Sequence, residues 1–361
     1  MPLGPAFVDR IRRAWDDGDA VFPLDGRLPR AAAATVLAAV RPTVIATNSG
    51  DARVDGDPVE SGDSVVVATS GSTGEPKAVV LTHDAIRASA SAVHERLGVT
   101  SADGWFACLP PAHIGGLSVV LRGLVTGVPL RTAPGFDPDA FAEAARSGST
   151  LVSLVATALQ RVDPALYRII VLGGSRPPQD RPRNCVATYG MTETGSGVVY
   201  DGLPLRGVEI DIREGIIHIR SAMNMRCYRN ARSPIDDAGW LRTGDIGSWN
   251  PDGTLNVQGR EGDLIITGGE NVWPEAVEAS LSTMGTVADC CVVGIADPEW
   301  GQAVHAFVVS ANPPSLAEIR EHVKLTLPSH CAPKHIHIVE AIPRTALGKP
   351  RRNELVAGLG N

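Results

Sequence analysis

From Trp105 onward, short apolar runs alternate with helical stretches. Trp105 to Leu109, Pro129 to Thr132, Leu151 to Leu154 and Ile169 to Leu172 read as strands. Pro110-Pro111-Ala112-His113-Ile114-Gly115-Gly116-Leu117 reads as a turn opening a helix through Val125, with further helices at Pro138 to Arg146 and near Ala158. That alternation predicts a parallel α/β sheet. Sites in such sheets lie beyond the C-terminal ends of the strands. Chemistry-bearing residues are therefore expected just after each apolar run.

The flanking regions complete the outline. Ala6 to Asp16 and Pro29 to Val40 read as helices, Thr43 to Ala46 as a strand, and the Gly/Asp-rich stretch Asn48 to Asp63 as a loop. A helix is expected from Thr82 or His83 through Leu97, with Asp84 complementing its dipole. From Gly207 the texture becomes short alternating strands: Gly207 to Arg213, Gly215 to Arg220 and Thr254 to Gln258. After Gly259 come strand (Leu264 to Thr267), helix (Pro274 to Ser282), strands (Val287 to Val293 and Val304 to Val309), helix (Leu316 to Leu327) and strand (Ile336 to Val339). The expected fold class is α/β. A large N-terminal domain (1–259) carries parallel α/β sheets and a small antiparallel β subdomain, and a small α+β C-terminal domain (260–361) follows.

Composition narrows the function classes. A net charge of −7 gives no basis for nucleic-acid or membrane-surface affinity. No run of eighteen apolar residues exists, and Met1 to Trp15 lacks the pattern of a signal peptide. Six scattered cysteines without a CxxC give no metal or disulfide framework, so reduced thiols in a cytoplasmic protein are expected. Cys290-Cys291 sits in an apolar run expected to be a buried strand. The sequence leaves a homo-oligomer open.

The most informative stretch is Val65 to His83: an apolar strand, the turn Thr69-Ser70-Gly71-Ser72-Thr73-Gly74-Glu75-Pro76-Lys77, and a second apolar strand. Gly71 and Gly74 allow positive φ, so backbone N–H groups can converge on an anion. Thr69, Ser70, Ser72 and Thr73 add hydroxyls, and Lys77 adds a point charge. The alternative is a hairpin with a polar turn. A Walker A loop is excluded, because Pro76 precedes the lysine and Ala78 follows it.

Three further segments carry chemistry. In Thr188-Tyr189-Gly190-Met191-Thr192-Glu193-Thr194-Gly195, after an expected strand at Asn184 to Ala187, a tyrosine at a strand end can stack on a purine. A glutamate beside phosphates can hold Mg²⁺. A polar loop with one buried tyrosine fits equally. In Thr243-Gly244-Asp245, a carboxylate held by a glycine turn suits a vicinal diol, or is simply a turn. Ile342-Pro343-Arg344-Thr345-Ala346-Leu347-Gly348-Lys349 is a basic loop that, on composition, belongs to the solvated surface.

Taken together, these segments resemble the adenylate-forming superfamily of acyl- and aryl-CoA ligases, luciferases and carrier-protein adenylation domains. They occur in the family's order from Thr69 to Lys349. The resemblance implies ATP, Mg²⁺ and coenzyme A as cofactors, a carboxylic acid as the substrate, and an acyl-AMP intermediate. It implies that Tyr189 covers the adenine, that Thr192 contacts the α-phosphate and that Glu193 ligates Mg²⁺. Asp245 would bind the ribose, Arg260 would contact the ribose or phosphate, and Gly173-Gly174-Ser175 would border the acyl and adenine pockets. His113, with Gly115 and Gly116, would gate the acyl pocket, and Gly268-Gly269 would line the CoA tunnel. Lys349 would bridge the attacking carboxylate and the α-phosphate. Lys349, His113 and Thr192 are thereby the catalytic candidates. The C-terminal domain would be mobile about a hinge at Gly262, where the family often carries Asp or Lys. The region before Thr69 is short for the family, so a reduced first subdomain is expected.

The substrate is less constrained. Ser-Gly-Ser-Thr-Gly-Glu-Pro-Lys, Pro-Ala-His-Ile-Gly-Gly and Gly-Gly-Glu-Asn together are most similar to CoA ligases that act on an aromatic ketodiacid. Ser175, Arg176 and Arg122 are candidates for its second carboxylate, with no basis for choosing. The rivals are a fatty- or aryl-acid CoA ligase, a carrier-protein adenylation enzyme, disfavoured because no carrier domain follows Lys349, and a nucleotide-binding non-enzyme. The last should lack Lys349 or Glu193, and both are present.

Overall fold

The apolar runs Leu151–Leu154 and Ile169–Leu172 are strands whose residues are almost all buried, as a sheet covered on both faces requires. The computed structural model describes residues 2–47, 50–70, 76–174, 178, 180–344 and 350–360, with Ser70 described by its backbone alone. Two units are distinguished: Met1–Asp211 with His218–Arg242, and Ile212–Ile217 with Thr243–Asn361.

The first unit begins with α1 (Pro5–Asp16), α2 (Arg30–Val40), β1 (Val44–Thr47), β2 (Gly50–Arg53), β3 (Asp63–Ser70), β4 (Pro76–Thr82) and α3 (His83–Leu97). There follow β5 (Trp105–Ala107), α4 (Ile114–Thr126), β6 (Leu130–Thr132), α5 (Pro138–Arg146), β7 (Leu151–Leu154), α6 (Ala156–Leu159), β8 (Ile169–Leu172), β9 (Cys185–Met191), β10 (Ser196–Tyr200) and β11 (Leu203–Pro204). The chain continues through β12 (Val208–Arg213), β13 (Ile216–Ser221), β14 (Cys227–Tyr228), β15 (Leu241–Trp249) and β16 (Leu255–Arg260). The second unit ends with β17 (Ile265–Thr267), β18 (Glu270–Val272), α7 (Pro274–Leu281), β19 (Asp289–Asp297), β20 (Gly301–Val309), α8 (Leu316–Lys324), β21 (His335–Ile338) and α9 (Arg352–Ala357).

The main sheet has the order β11-β10-β9-β8-β7-β5-β6. Its strands β6, β5, β7, β8 and β9 are parallel, and β10 and β11 close it antiparallel. Alternation along the strands builds two cores. Phe106, Val152, Leu154, Ile170 and Leu172 pack with Phe141 of α5 and with Tyr167, whose hydroxyl donates to the Phe141 carbonyl at 3.1 Å. Trp105 faces the other way, toward α3 and α4: its indole N–H donates to Nε2 of His94 at 3.0 Å, and the Arg122 guanidinium lies 5.0 Å from its ring centroid. Arg122 is 3% exposed, and its Nε and Nη1 have no partner among the described residues.

A separate three-stranded sheet, β14-β4-β3, carries the stretch Val65 to His83. Here α3 starts cleanly, because the Thr82 hydroxyl accepts from the Ala85 amide. In the second unit, β19 and β20 pair over nine residues. Cys290 and Val292 face α7 and α8, while Cys291 and Val293 face Phe307 and Leu355 of α9. The expected buried strand at Cys290-Cys291 is thus present. Burial pushes both thiols up to about 12, and all six cysteines are free.

Three expectations are corrected. The loop expected from Asn48 to Asp63 contains β2, which pairs antiparallel with β1; an Asp- and Gly-rich strand with every residue exposed leaves no hydrophobic alternation to detect. The strand expected to stop at Ala187 continues through Tyr189 and Gly190 to Met191, because β10 returns alongside it. Asp245, expected in a turn, lies within β15, where Gly244 still takes φ +72. Among the described residues, no helix is long and apolar enough to cross a membrane.

The His94–Trp105 contact sets a pH response. Burial, helped by the Arg122 charge and opposed by Asp103, lowers His94 from 6.5 to about 4. The unfolded chain binds this proton more readily, so stability is retained above pH 6.5 and lost as pH falls toward 4. The loss from this residue reaches about 3 kcal/mol. Thermal melts from pH 7 to pH 4 should show a falling melting temperature, with a shallower slope in His94→Gln, which keeps an acceptor for Trp105.

Candidate active site

The C-terminal edge of the parallel strands collects one group of the residues singled out by sequence. After β5 the chain turns through Pro110 and Pro111 to His113, the N-terminal flanking residue of α4. After β8 come Gly173 and Gly174, the latter at φ +87. After β9 come Thr192 and Glu193 in a single 3₁₀ turn. The Thr188 hydroxyl donates to the Leu172 carbonyl at 2.9 Å, and a Cβ on Gly173 would lie 3.2 Å from the Thr188 hydroxyl oxygen. The end of β8 is therefore kept bare beside Tyr189, which is half-buried on β9.

Several glycines owe their identity to backbone crowding. A Cβ on Gly116 would meet the carbonyl oxygens of Leu109 and Pro110, both at 2.5 Å, so the turn folded over the start of α4 requires glycine there. A Cβ on Gly190 would collide with the Ser196 carbonyl across the β9–β10 pair. Gly115 opens onto free space. The resemblance gives Gly116 and Gly190 ligand-facing roles; their local packing alone already accounts for the glycine.

Burial pushes the His113 pKa down, and its Nε2, 3.9 Å from Asp25 Oδ2, is too far for a hydrogen bond. The Asp25 charge is taken by Arg27, whose Nε and Nη2 donate to it at 2.9 and 2.8 Å. Sequence reasoning missed Asp25 and Arg27, which sit outside any motif in the turn Asp25-Gly26-Arg27. Arg122 lies nine residues after His113, roughly half a turn around α4 from it, with its guanidinium on Trp105. That orientation does not bring it to His113 as a holder of a second carboxylate.

The phosphate side is built on β3 and β4. Thr69 pairs with Lys77, and Ser70 with Pro76, at the end of β3 and the start of β4. Asn230 pins it: its amide donates to the Pro76 carbonyl at 2.8 Å and its carbonyl oxygen accepts from the Ala78 amide at 3.0 Å. Arg226 clamps the base, with Nε and Nη2 on the buried Asp63 carboxylate at 2.8 and 2.9 Å. The Lys77 ammonium lies 5.1 Å from the Tyr228 ring centroid. The Tyr228 hydroxyl donates to Glu193 Oε1 at 2.7 Å. Tyr228 was also missed, because nothing between Arg220 and Trp240 was read as chemistry. Gly71, Ser72, Thr73, Gly74, Ser175, Arg176 and Lys349, together with the Ser70 side chain, lie outside the described residues.

In the second unit, Asp245 and Arg260 face each other across β15 and β16, Arg260 Nε to Asp245 Oδ1 at 2.8 Å. Sequence gave both a nucleotide role; the structure adds that they meet each other. Gly268 and Gly269, at φ +60 and +83, form the two-residue turn between β17 and β18, the positive-φ pair that a tight hairpin requires. A Cβ on Gly268 would lie 2.9 Å from the Trp300 ring. Gly262 has an ordinary φ and open space around it. Arg352 is sunk among Glu278 (2.9 Å), Glu275 (3.4 Å) and Asp263 (3.5 Å) and also donates to the Val292 carbonyl.

A parallel sheet with bare glycines and a tyrosine at its C-terminal edge, beside a lysine-bearing hairpin, defines a nucleotide-binding α/β protein. Residues 47–228 match the AMP-binding enzymes and residues 276–349 match the AMP-binding enzyme C-terminal domain. The chain belongs to the AMP-binding enzyme family. It is 40% identical over 330 residues to a probable 2-succinylbenzoate–CoA ligase of Mycobacterium tuberculosis, covering 83% of this chain and 86% of that one. A 2-succinylbenzoate–CoA ligase of Bacillus anthracis is 33% identical, over 80% of this chain and 69% of the relative. The fold is similar to o-succinylbenzoate CoA synthetase from Bacillus subtilis in complex with its acyl-adenylate intermediate, at TM-score 0.76 and 30% identity, covering 84% of this chain and 71% of that one. The same enzyme in complex with ATP and magnesium gives TM-score 0.75 and 30% identity, over 84% and 73%.

Gly116→Ala should displace the turn that carries His113 and cost about 1–3 kcal/mol, the range for forcing an extra carbon into a packed site. Gly115→Ala, with open space, should be nearly neutral. Paired denaturant melts of the two variants check this.

Proposed function

We propose that the chain is an ATP-dependent acid–CoA ligase that converts o-succinylbenzoate, through its acyl-AMP, to o-succinylbenzoyl-CoA in menaquinone biosynthesis. The carrying observation is the joint placement of Lys77 and Glu193 about Tyr228, beside the last β3–β4 pairs at Thr69 and Ser70. The names of the relatives supply the acid, and the wide coverage of both chains supports carrying it over.

In this reading the acid's carboxylate oxygen attacks the α-phosphorus of ATP and pyrophosphate leaves. The CoA sulfur then attacks the acyl carbon, AMP leaves, and the thiol proton goes to solvent. The first step brings an anion to a polyanion, so the protein's work is to position the groups and offset charge. Lys77 has no ion-pair partner among the described residues, so its charge is free for phosphate oxygens. Glu193 fits Mg²⁺: one oxygen is occupied by Tyr228, and no cationic side chain pairs with it among the described residues. No cluster of three or more His, Cys, Asp or Glu exists there, so the remaining ligands would come from phosphate and water. Bound Mg²⁺ would supply neutralisation of the triphosphate charge. Tyr189 covers the base, Thr192 meets the α-phosphate, Asp245 and Arg260 serve the ribose, and His113 forms a wall of the acyl pocket.

Gly268 and Gly269 admit the pantetheine arm, and Lys349 closes the adenylation site. The boundary at Gly259–Arg260 and a hinge at Gly262 belong to this reading; the ordinary φ and open surroundings of Gly262 support a residue free to change conformation. A cytoplasmic setting is supported by six free cysteines.

The test is acid-dependent pyrophosphate release with ATP, Mg²⁺ and CoA across o-succinylbenzoate, benzoate and medium- and long-chain acids. Strong preference for o-succinylbenzoate is expected; preference for a fatty or simple aryl acid would overturn the substrate, and no acid-dependent release would overturn the class. Lys349→Ala should lower adenylation by a hundredfold or more, about 3 kcal/mol, while largely sparing thioester formation from supplied acyl-AMP. Equal loss of both would refute its role.

A further inference from the structure

We propose that Tyr228 is a positioning residue for adenylation, one that presents Glu193 to the metal and Lys77 to the phosphates while keeping the two from pairing with each other. The proposal rests on the ligase reading above. Its ground is geometric. Tyr228 pairs with Val79 across β14 and β4. Lys77 is two residues before Val79, so it shares Val79's face of the strand and lies diagonally across from Tyr228. That register carries the ammonium over the ring. The opposite end of the same side chain, the hydroxyl, reaches Glu193 Oε1. The Glu193 backbone is fixed independently, its carbonyl accepting from the Met225 amide at 2.7 Å.

The two contacts differ in what they leave available. A ring face attracts a cation without neutralising it, as a carboxylate would. A phenol donates one hydrogen bond and occupies one of the carboxylate's two oxygens, leaving the other for a cation. Lys77 and Glu193 carry opposite charges, and without the phenol between them they would form a salt bridge. That bridge would remove the phosphate-binding charge and the metal ligand together. The two functions of Tyr228 are separable. Phenylalanine keeps the ring under Lys77 and deletes the bond to Glu193; leucine deletes both.

The test uses the full chain and two readouts that do not depend on turnover. ATP binding in EDTA is measured by calorimetry, and Mn²⁺ binding to the ATP-saturated protein by electron paramagnetic resonance. Y228F should bind metal-free ATP within twofold of wild type but Mn²⁺ about tenfold more weakly. Y228L should lose about tenfold in both. Wild-type Mn²⁺ affinity in Y228F would overturn the proposal. So would losses in Y228L that track a matching fall in melting temperature while Y228F behaves as wild type, since Tyr228 would then be only a packing residue. A wild-type protein that binds no ATP would instead overturn the ligase reading on which the proposal stands.

Discussion

The parallel strands β5, β7 and β8, buried on both faces, satisfy their backbone groups laterally, and only at their ends does the chain have to turn. In the first unit this constraint decides where chemistry can be. The segments leaving β5, β8 and β9 emerge at one edge and carry His113, Gly173-Gly174 and Tyr189 to Glu193. Turning there demands close backbone approach, and Gly116 and Gly190 are spent on it. The antiparallel return of β10 along β9 sets the position of Tyr189, which pairs with Val199 just past a bulge that follows the Gly190–Gly197 pair.

Much of this was legible in the sequence, for a physical reason. Parallel strands such as Ile169–Leu172 are continuous apolar runs, and helices such as α3 declare themselves by a capping threonine, an acidic first turn and a glycine just past the end. The motif residues at strand ends could be read as donors, charges and bare backbone without coordinates. What was not legible depends on pairing between distant segments. β2 is wholly exposed and has no apolar pattern. β14 is two residues long and exists only because β4 offers an edge. Tyr228 therefore carried no local signal, although it contacts two residues that did. The mutual contact of Asp245 and Arg260 was hidden for the same reason: each was read alone, and only the β15–β16 register brings them together.

The pairing state of each cation separates the arginines that tie distant segments together from Lys77. Arg226 is held by Asp63 and Glu60, Arg168 by Asp103, and Arg352 by Glu278, Glu275 and Asp263. Each joins segments far apart in sequence, and each has its charge answered by carboxylates. Removing one partner from so buried a group as Arg352 is costly, about 3–5 kcal/mol, because the remaining charges stay behind. These residues hold the scaffold and have nothing left to offer a ligand.

Lys77 and Arg122 are the contrasting cases, each set against an aromatic ring with no carboxylate among the described residues. Arg122 is sealed in the core, where the Trp105 face and the Ser118 hydroxyl are its partners. Burial disfavours its charge and pushes its pKa down. Lys77 is half-buried near the start of β4, paired with Thr69 of β3. A cation without a carboxylate in a closed core is reached by nothing; the same cation half-buried near the start of β4 keeps part of its surface open to solvent. The difference lies in access.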